Sequence, residues 1–152
     1  MPDITARVST RIDASRHEVW PALTDPTIIS EYYLGATLSS DWRVGSPITW
    51  SGEWNGTAYT DKGEILAVEP GELLSYSHWS PMTGTEDSPE HYHVVTITLS
   101  DVDDGTEVEL KQSNLQGGTS EADRRHREDY ESNWSTMLEG LKESVESRGR
   151  SR

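Results

Sequence analysis

The chain has 152 residues, a formal net charge of −14, six Trp and six Tyr, and neither Cys nor Phe. This length predicts one domain with a hydrophobic core, and the absence of cysteine excludes disulfides and thiol chemistry. The charge opposes binding to nucleic acid or to anionic membranes, and without an apolar span or a signal sequence we expect a cytoplasmic protein.

The N-terminal part of the sequence predicts one strand followed by two short helices. Residues 4–12 alternate as ITARVSTRI, which is the pattern of a half-buried strand. Ser15 opens the capping box SRHE, and Pro21 predicts a kink or an early end of the helix that follows. Asp25 precedes a proline as a helix N-cap often does, and it predicts a second helix that reaches Tyr33.

The middle of the sequence is strand-like from residue 36 to residue 115. Turns rich in Gly, Pro and Asp divide it into about six antiparallel strands. The predicted segments are two strands within residues 36–54 joined by a turn at Gly45, a hairpin at Asn55-Gly56, and strands over residues 62–69, 73–79, 91–99 and 106–115.

A long helix is predicted from about Ser120 to Ser147, with a cap at Thr119 or Ser120 and an end at Gly149. Trp134 lies at the centre of its apolar stripe and is expected to be buried, while Gly140 predicts a close approach of another segment. We expect residues 149–152 to form a disordered tail. The stripe recurs at helical spacing and consists of Tyr130, Trp134, Met137, Leu138, Leu141 and Val145.

Five stretches of the sequence resemble a known family. They are SRHEVWPALTDP from Ser15, SDWRVGSPITWSGEW from Ser40, KGEILAVEPGELLSYSHWSP from Lys62, DGTEVELKQSNL from Asp104 and NWSTMLEGLKESVES from Asn133. In this order they resemble the bacterial homologues of the heat-shock protein 90 ATPase activator, within the START-like (SRPBCC, Bet v-like) superfamily.

The resemblance implies the α+β helix-grip fold in one domain over residues 1–148. In that fold a curved antiparallel sheet of about six to seven strands wraps around the long C-terminal helix, and two short helices follow the first strand. In many superfamily members a cavity between the sheet and the helix holds a hydrophobic small molecule. A chaperone partner is a weaker alternative, because these residues do not resemble the domain with which the eukaryotic co-chaperone engages its chaperone.

Strand alternation predicts which side chains line such a cavity. If Ser80 pairs near His91, His78 lies opposite His93 and Tyr76 lies opposite Val95. The favoured function is therefore binding of a small hydrophobic or aromatic ligand in a mostly apolar pocket with a few polar groups. The predicted ligand-binding residues are Trp50, Trp54, Tyr76, His78, His93, Gln112, Asn114, Trp134 and Leu138.

Two kinds of chemistry are weaker alternatives for the same residues. His78, His93 and Tyr76 could move protons within a ligand, as in a cofactor-independent cyclase or lyase. His91 and His93 beside His78 resemble a metal-binding pattern, but no cysteine or carboxylate ligand accompanies them, so we predict neither a metal nor a cofactor.

A third interpretation places the function on the surface, as in a chaperone-associated or stress-response protein. Arg124, Arg125 and Arg127 form the dense basic cluster, although pairing with neighbouring acids is the simpler explanation. We expect the acidic loop of residues 80–90 and the segment Glu121–Glu131 to be solvated, and the loop could gate the cavity. A homodimer through a strand edge is a further alternative.

The acidic composition itself has two explanations. Excess carboxylate with scarce lysine occurs in proteins from salt-rich cytoplasm, where screening removes self-repulsion. An ordinary acidic protein is the favoured explanation.

Overall fold

A computed structural model describes residues 4–32, 37–54, 56–80, 86–118 and 121–150. Within these residues seven strands form one antiparallel sheet in the order β1-β7-β6-β5-β4-β3-β2. The sheet curves around a long C-terminal helix, which confirms the predicted α+β helix-grip architecture. The elements are β1 (Ile4–Ile12), α1 (Arg16–Thr24), α2 (Pro26–Tyr32), β2 (Thr37–Ser40), β3 (Pro47–Trp54), β4 (Thr57–Glu69), β5 (Leu73–His78), β6 (His93–Val102), β7 (Gly105–Asn114) and α3 (Glu121–Arg150).

The two helices after β1 begin as predicted. The Ser15 hydroxyl accepts a hydrogen bond from the Glu18 amide at 3.2 Å, and Asp25 Oδ1 accepts from the Thr27 amide at 2.9 Å. These contacts satisfy amides that have no partner within the helix. Pro21 lies inside α1, which is short, with nine residues. Tyr33, the predicted end of the second helix, lies outside the described residues.

The long strand β4 joins the two halves of the sheet. Its first part pairs with β3 as far as Pro47 opposite Glu64, and its last part pairs with β5 from Ile65 opposite Tyr76. Gly63 lies where the strand passes from one partner to the other. A Cβ atom at this position would be 1.7 Å from the carbonyl oxygen of Ser77, so only glycine fits.

The register around the predicted cavity wall is confirmed. His78 lies opposite His93 and Tyr76 lies opposite Val95 in the ladder between β5 and β6. The strand begins later than predicted, because His91 belongs to a 3-10 turn that a proline starts at residue 89. The hairpin between β3 and β4 is present, with Trp54 opposite Thr57, while Asn55 lies outside the described residues.

The helix α3 has 30 residues, and at about 1.5 Å per residue it extends for about 45 Å. Gly140 packs against Tyr32, whose Cβ would be 3.0 Å from an added Cβ, which confirms the predicted close approach. The end predicted at Gly149 is wrong: the helix continues to Arg150, because one glycine in a last turn costs at most about 1 kcal/mol. The predicted caps, Thr119 and Ser120, lie outside the described residues. The buried part of the stripe is Met137, Leu138, Leu141 and Val145.

Trp134 differs from the prediction. It is only partly buried, although it packs against the core cluster, because it borders a space between the sheet and α3. Among the described residues, no helix combines the length and the apolar character needed to cross a membrane.

Candidate functional site

A cavity of about 560 Å³ lies between the sheet and the N-terminal half of α3. It is partly open to solvent, because the exposed residues Asn133 and Thr136 contribute to its wall. The four strands β4 to β7 supply one wall, and α3 with the end of α2 supplies the other. The lining residues are Tyr32, Asp61, His78, Trp79, Ser80, His91, His93, Val95, Gln112, Tyr130, Asn133, Trp134, Thr136 and Met137.

His78 and Asp61 form a hydrogen-bonded pair on the sheet wall. The Nε2 atom of His78 lies 2.9 Å from Asp61 Oδ2. An ionised carboxylate can only accept, so Nε2 carries the proton in this contact. The second carboxylate oxygen, Oδ1, is buried and has no hydrogen-bond partner within the described part of the chain. The carboxylate therefore fixes the orientation of the imidazole.

His93 has a similar partner on α3. Its Nε2 atom lies 3.5 Å from Asp123 Oδ1, and Asp123 Oδ2 accepts from the Asn114 amide nitrogen at 2.7 Å. Burial lowers the pKa of His93, the neighbouring Asp123 opposes that change, and the nearby His78 adds to it. The lowered pKa favours the neutral imidazole, which presents an acceptor nitrogen.

Asp123 corrects the expectation that Glu121–Glu131 forms a solvated face. Its side chain is 6% exposed, because it turns inward from the first turn of α3 to reach Asn114 and His93. Hydrogen bonds from these groups, and a position at the positive end of the helix, stabilise a buried carboxylate. The rest of the described segment includes exposed charges such as Glu121, Arg125 and Glu128.

A polar contact also joins α3 to the sheet beside the cavity. The indole N–H of Trp134 donates to Gln112 Oε1 at 2.7 Å, and Gln112 is 4% exposed. Tyr130 lies one helical turn earlier, with its ring centroid 5.8 Å from that of His93. Burial raises the pKa of Tyr130, with smaller contributions from Asp123 and Asp129, so its hydroxyl stays protonated.

Three of the predicted ligand-binding residues lie beneath the cavity rather than on its wall. Trp50 and Tyr76 pack 5.2 Å apart between ring centroids and line a separate apolar void of about 20 Å³. Leu138 is fully buried in the core. Strand alternation assigns these side chains to the correct face but not to a depth, and at this depth the core is filled.

The other predicted residues divide as follows. His78, His93, Gln112 and Trp134 line the cavity together. Asn114 holds Asp123 in place instead. The side chain of Trp54 lies outside the described part of the structure.

Asp61 and Trp79, both beside the cavity, escaped sequence reasoning, although a signal was present for Asp61. The hairpin at residues 55–56 fixes Trp54 opposite Thr57, and this register places Asp61 opposite the inward-facing Trp50. Counting along the hairpin would therefore have found Asp61. Trp79 follows β5, pairs with Lys62 through two backbone hydrogen bonds, and carries no comparable signal.

His91 stands at the rim of the cavity. Its Nδ1 atom lies 2.9 Å from the carbonyl oxygen of Glu86 and 3.1 Å from the Ser88 hydroxyl, so one backbone and one side-chain contact within the same turn hold the ring. Nearby, the Tyr92 hydroxyl donates to Asp87 at 2.6 Å, and burial followed by this carboxylate raises the pKa of Tyr92 to about 12. Residues 81–85, part of the loop that could gate the cavity, lie outside the described residues.

The histidines do not form a metal centre in the part of the chain that the structure describes. No group of three or more His, Asp or Glu side chains there is arranged to hold a metal ion. The basic cluster on α3 is exposed, and Arg127 pairs with Glu131 at 3.6 Å in the expected i,i+4 arrangement.

Comparison with known proteins places these features in a family. Residues 13–146 match the family model described as "Activator of Hsp90 ATPase homolog 1-like protein". A protein from Cytophaga hutchinsonii with a solution structure is 51% identical, with a TM-score of 0.76 over 95% of either chain. A crystal structure from Mesorhizobium loti is 26% identical, with a TM-score of 0.75 over 93% of this chain and 96% of that one.

A more distant neighbour is the solution structure of the Aha1 dimer from Colwellia psychrerythraea. It is 18% identical, with a TM-score of 0.65 over 92% of this chain and 94% of that chain, and at this identity it shows the fold alone. None of the curated proteins compared with the chain matches it.

Proposed function

Because the chain belongs to the family of activator of Hsp90 ATPase homolog 1-like proteins, and its own helix-grip fold surrounds a space, we propose that it binds a small, largely apolar molecule in that space. The observation that carries this proposal is the cavity of about 560 Å³ between the sheet and α3. Most of the surface that lines it is apolar, and several polar groups converge on it, as is usual for small-molecule sites.

The size of the cavity supports binding over incomplete packing. Protein interiors are close-packed, and voids in a core rarely exceed the volume of a water molecule. The small void of about 20 Å³ beneath Trp50 has the size expected of such a defect. The upper space is far larger and reaches solvent, so a ligand can enter it.

The experiment is a calorimetric titration with 2-methylnaphthalene, carried out on the wild type and on a variant that obstructs the cavity. Thr136→Trp places an indole at an exposed helix position that lines the space, and Ser135→Trp is the matched control at the next residue, which does not line it. We expect Thr136→Trp to weaken binding by roughly tenfold or more, about 1.4 kcal/mol, while Ser135→Trp binds like the wild type. Equal binding by both variants, or no binding by the wild type, would contradict the proposal.

Native mass spectrometry of protein purified from its own host tests the same function without a chosen probe. A stoichiometric adduct that denaturation removes is the expected result, and its mass identifies the ligand. An intact mass equal to the denatured mass, together with no response to the naphthalene probe, argues for a role of the surface.

A second candidate function is proton transfer within the bound molecule. The observation that favours it is the 2.9 Å contact between Asp61 and His78, since a carboxylate behind an imidazole raises its capacity to act as a general base. Tyr76 takes no part in this candidate, because it lines the lower void. Incubation of the native ligand with wild type and with His78→Gln would show turnover in the first alone, and retention of turnover in the variant would exclude His78 as the base.

A further inference from the structure

The charges around the cavity are of one sign. Among the described residues that line it, none is Lys or Arg, while Asp61 lies in the wall and Asp123 lies directly behind His93. An anionic ligand would lose its hydration here without gaining a cationic partner, which is costly. Carboxylates and phosphates therefore fit this cavity poorly.

The two imidazoles of the wall present acceptors. His78 and His93 lie opposite each other in neighbouring strands, and in both rings Nε2 faces a carboxylate. In a neutral imidazole with its proton on Nε2, the remaining nitrogen, Nδ1, has a lone pair and no hydrogen. Both rings line the cavity, so each can offer one acceptor nitrogen to a ligand, and each has a carboxylate at its other nitrogen.

On the basis of the proposed binding function, we infer that the cavity selects an uncharged aromatic molecule that bears a hydroxyl donor, such as a phenol. The hydroxyl donates to Nδ1 of His78 or His93, and the ring packs among Trp79, Trp134 and Met137. The hydrogen bond, made in a space of reduced solvent, distinguishes this ligand from a hydrocarbon of the same shape.

A cationic ligand fits less well, although the cavity is acidic. The carboxylate of Asp61 is engaged by His78 through Oδ2, and its free oxygen Oδ1 is buried out of reach of the cavity. Asp123 is likewise held by Asn114 and His93. An ammonium group would therefore meet imidazole nitrogens, which are better partners for a neutral donor than for a strongly hydrated cation.

The test compares four naphthalene probes of one shape by calorimetry at about pH 7.5, above the ordinary titration range of histidine. The probes are 2-naphthol, 2-naphthoate, 2-naphthylmethylammonium and 2-methylnaphthalene. We expect 2-naphthol to bind at least roughly tenfold more tightly than each of the others. Equal or tighter binding of the carboxylate, the ammonium or the hydrocarbon overturns the inference.

Single variants identify which histidine accepts the hydroxyl of 2-naphthol. His78→Phe and His93→Phe keep an aromatic ring but remove the acceptor, so 2-naphthol should lose most of its advantage over 2-methylnaphthalene in at least one of them. His17→Phe, at an exposed position on α1, is the matched control and should leave the preference unchanged. Thermal denaturation checks that each variant is folded. If one variant is unfolded, the comparison of the four probes on the wild type still tests the inference.

The outcomes separate the two proposals. If 2-methylnaphthalene binds and 2-naphthol gains nothing, the cavity binds ligands but does not select a hydroxyl. If both His variants keep the preference, the hydroxyl is recognised by another group and the assignment to His78 or His93 is overturned. If none of the four probes binds, the binding function fails together with the inference.

Discussion

Trp134 on α3 donates its indole N–H to the side-chain oxygen of Gln112 on β7 at 2.7 Å. The centre of the helix's apolar stripe is thus attached to the sheet by a polar bond, beside a space that other side chains leave empty. Because Gln112 is buried, this bond satisfies an acceptor that has little access to water.

Replacing Trp134 by Phe should destabilise the protein more than the loss of indole volume explains. The change leaves Gln112 Oε1 without its donor, and an unpaired buried acceptor costs about 1–3 kcal/mol. Urea denaturation measures the loss. The double variant Trp134→Phe/Gln112→Leu should recover about 1 kcal/mol, because neither polar partner is then left alone. Trp20→Phe, at a partly buried tryptophan that packs against the same core, is the control for the loss of indole volume. If the effects of Trp134→Phe and Gln112→Leu on the free energy of unfolding are strictly additive, the coupling is refuted.

The pH dependence of stability should contain a contribution from His93. Burial lowers its pKa in the folded protein, so below about pH 6.5 the unfolded chain binds more protons than the folded one, and stability falls as the pH falls. His93→Gln removes this contribution. Urea denaturation at pH 8 and pH 5.5 should show a larger loss for the wild type than for the variant, whereas His17→Gln should behave like the wild type. A steeper loss in His93→Gln would reverse the assigned direction.

Gly63→Ala should be among the most damaging single-methyl changes. The added Cβ would lie 1.7 Å from the backbone oxygen of Ser77, so two strands must separate, and we expect a loss of about 2–4 kcal/mol. Gly52→Ala is the matched control in β3, since its added Cβ meets the Tyr59 hydroxyl at 2.7 Å, the end of a side chain that can rotate away. That control should cost less than about 1 kcal/mol. Similar melting temperatures for the two variants would show that the contact with the Ser77 backbone does not exclude a side chain at Gly63.

Salt should stabilise the protein only up to moderate concentrations. With a net charge of −14, self-repulsion is screened once the Debye length falls to about 10 Å, near 0.1 M salt. We expect the melting temperature to rise up to about 0.2 M KCl and then to level off. A rise that continues into the molar range would instead support adaptation to a salt-rich cytoplasm.

Much of the fold could be predicted because its signals are local. Ser15, Asp25 and Gly45 act through their own caps and turns, and the long helix follows from apolar spacing. The ends of elements are less certain: His91 alternates like a strand residue, but the preceding proline and contacts to Glu86 hold it in a turn.

The candidate site was harder to predict from the sequence. How deeply a side chain lies in the core, and which distant residue it contacts, depend on the whole fold rather than on neighbouring residues. Alternation places Tyr76 and His78 on one face, yet one lies in the packed core and the other on the cavity wall. Asp123 resembles a routine acidic residue at a helix start. Its role depends on Asn114 and His93, which reach it from the sheet only after folding.

The indole of Trp50 lines the lower void, and its ring lies 5.0 Å from that of His78 on the cavity wall and 5.2 Å from that of Tyr76. For a ligand bound as we propose, this side chain would limit how far the ligand can extend toward the lower void. A smaller residue at this position would open the lower void to longer molecules, and it would also remove the support beneath His78. On the proposed binding function, the length of the ligand and the recognition of its polar group would both depend on this one side chain.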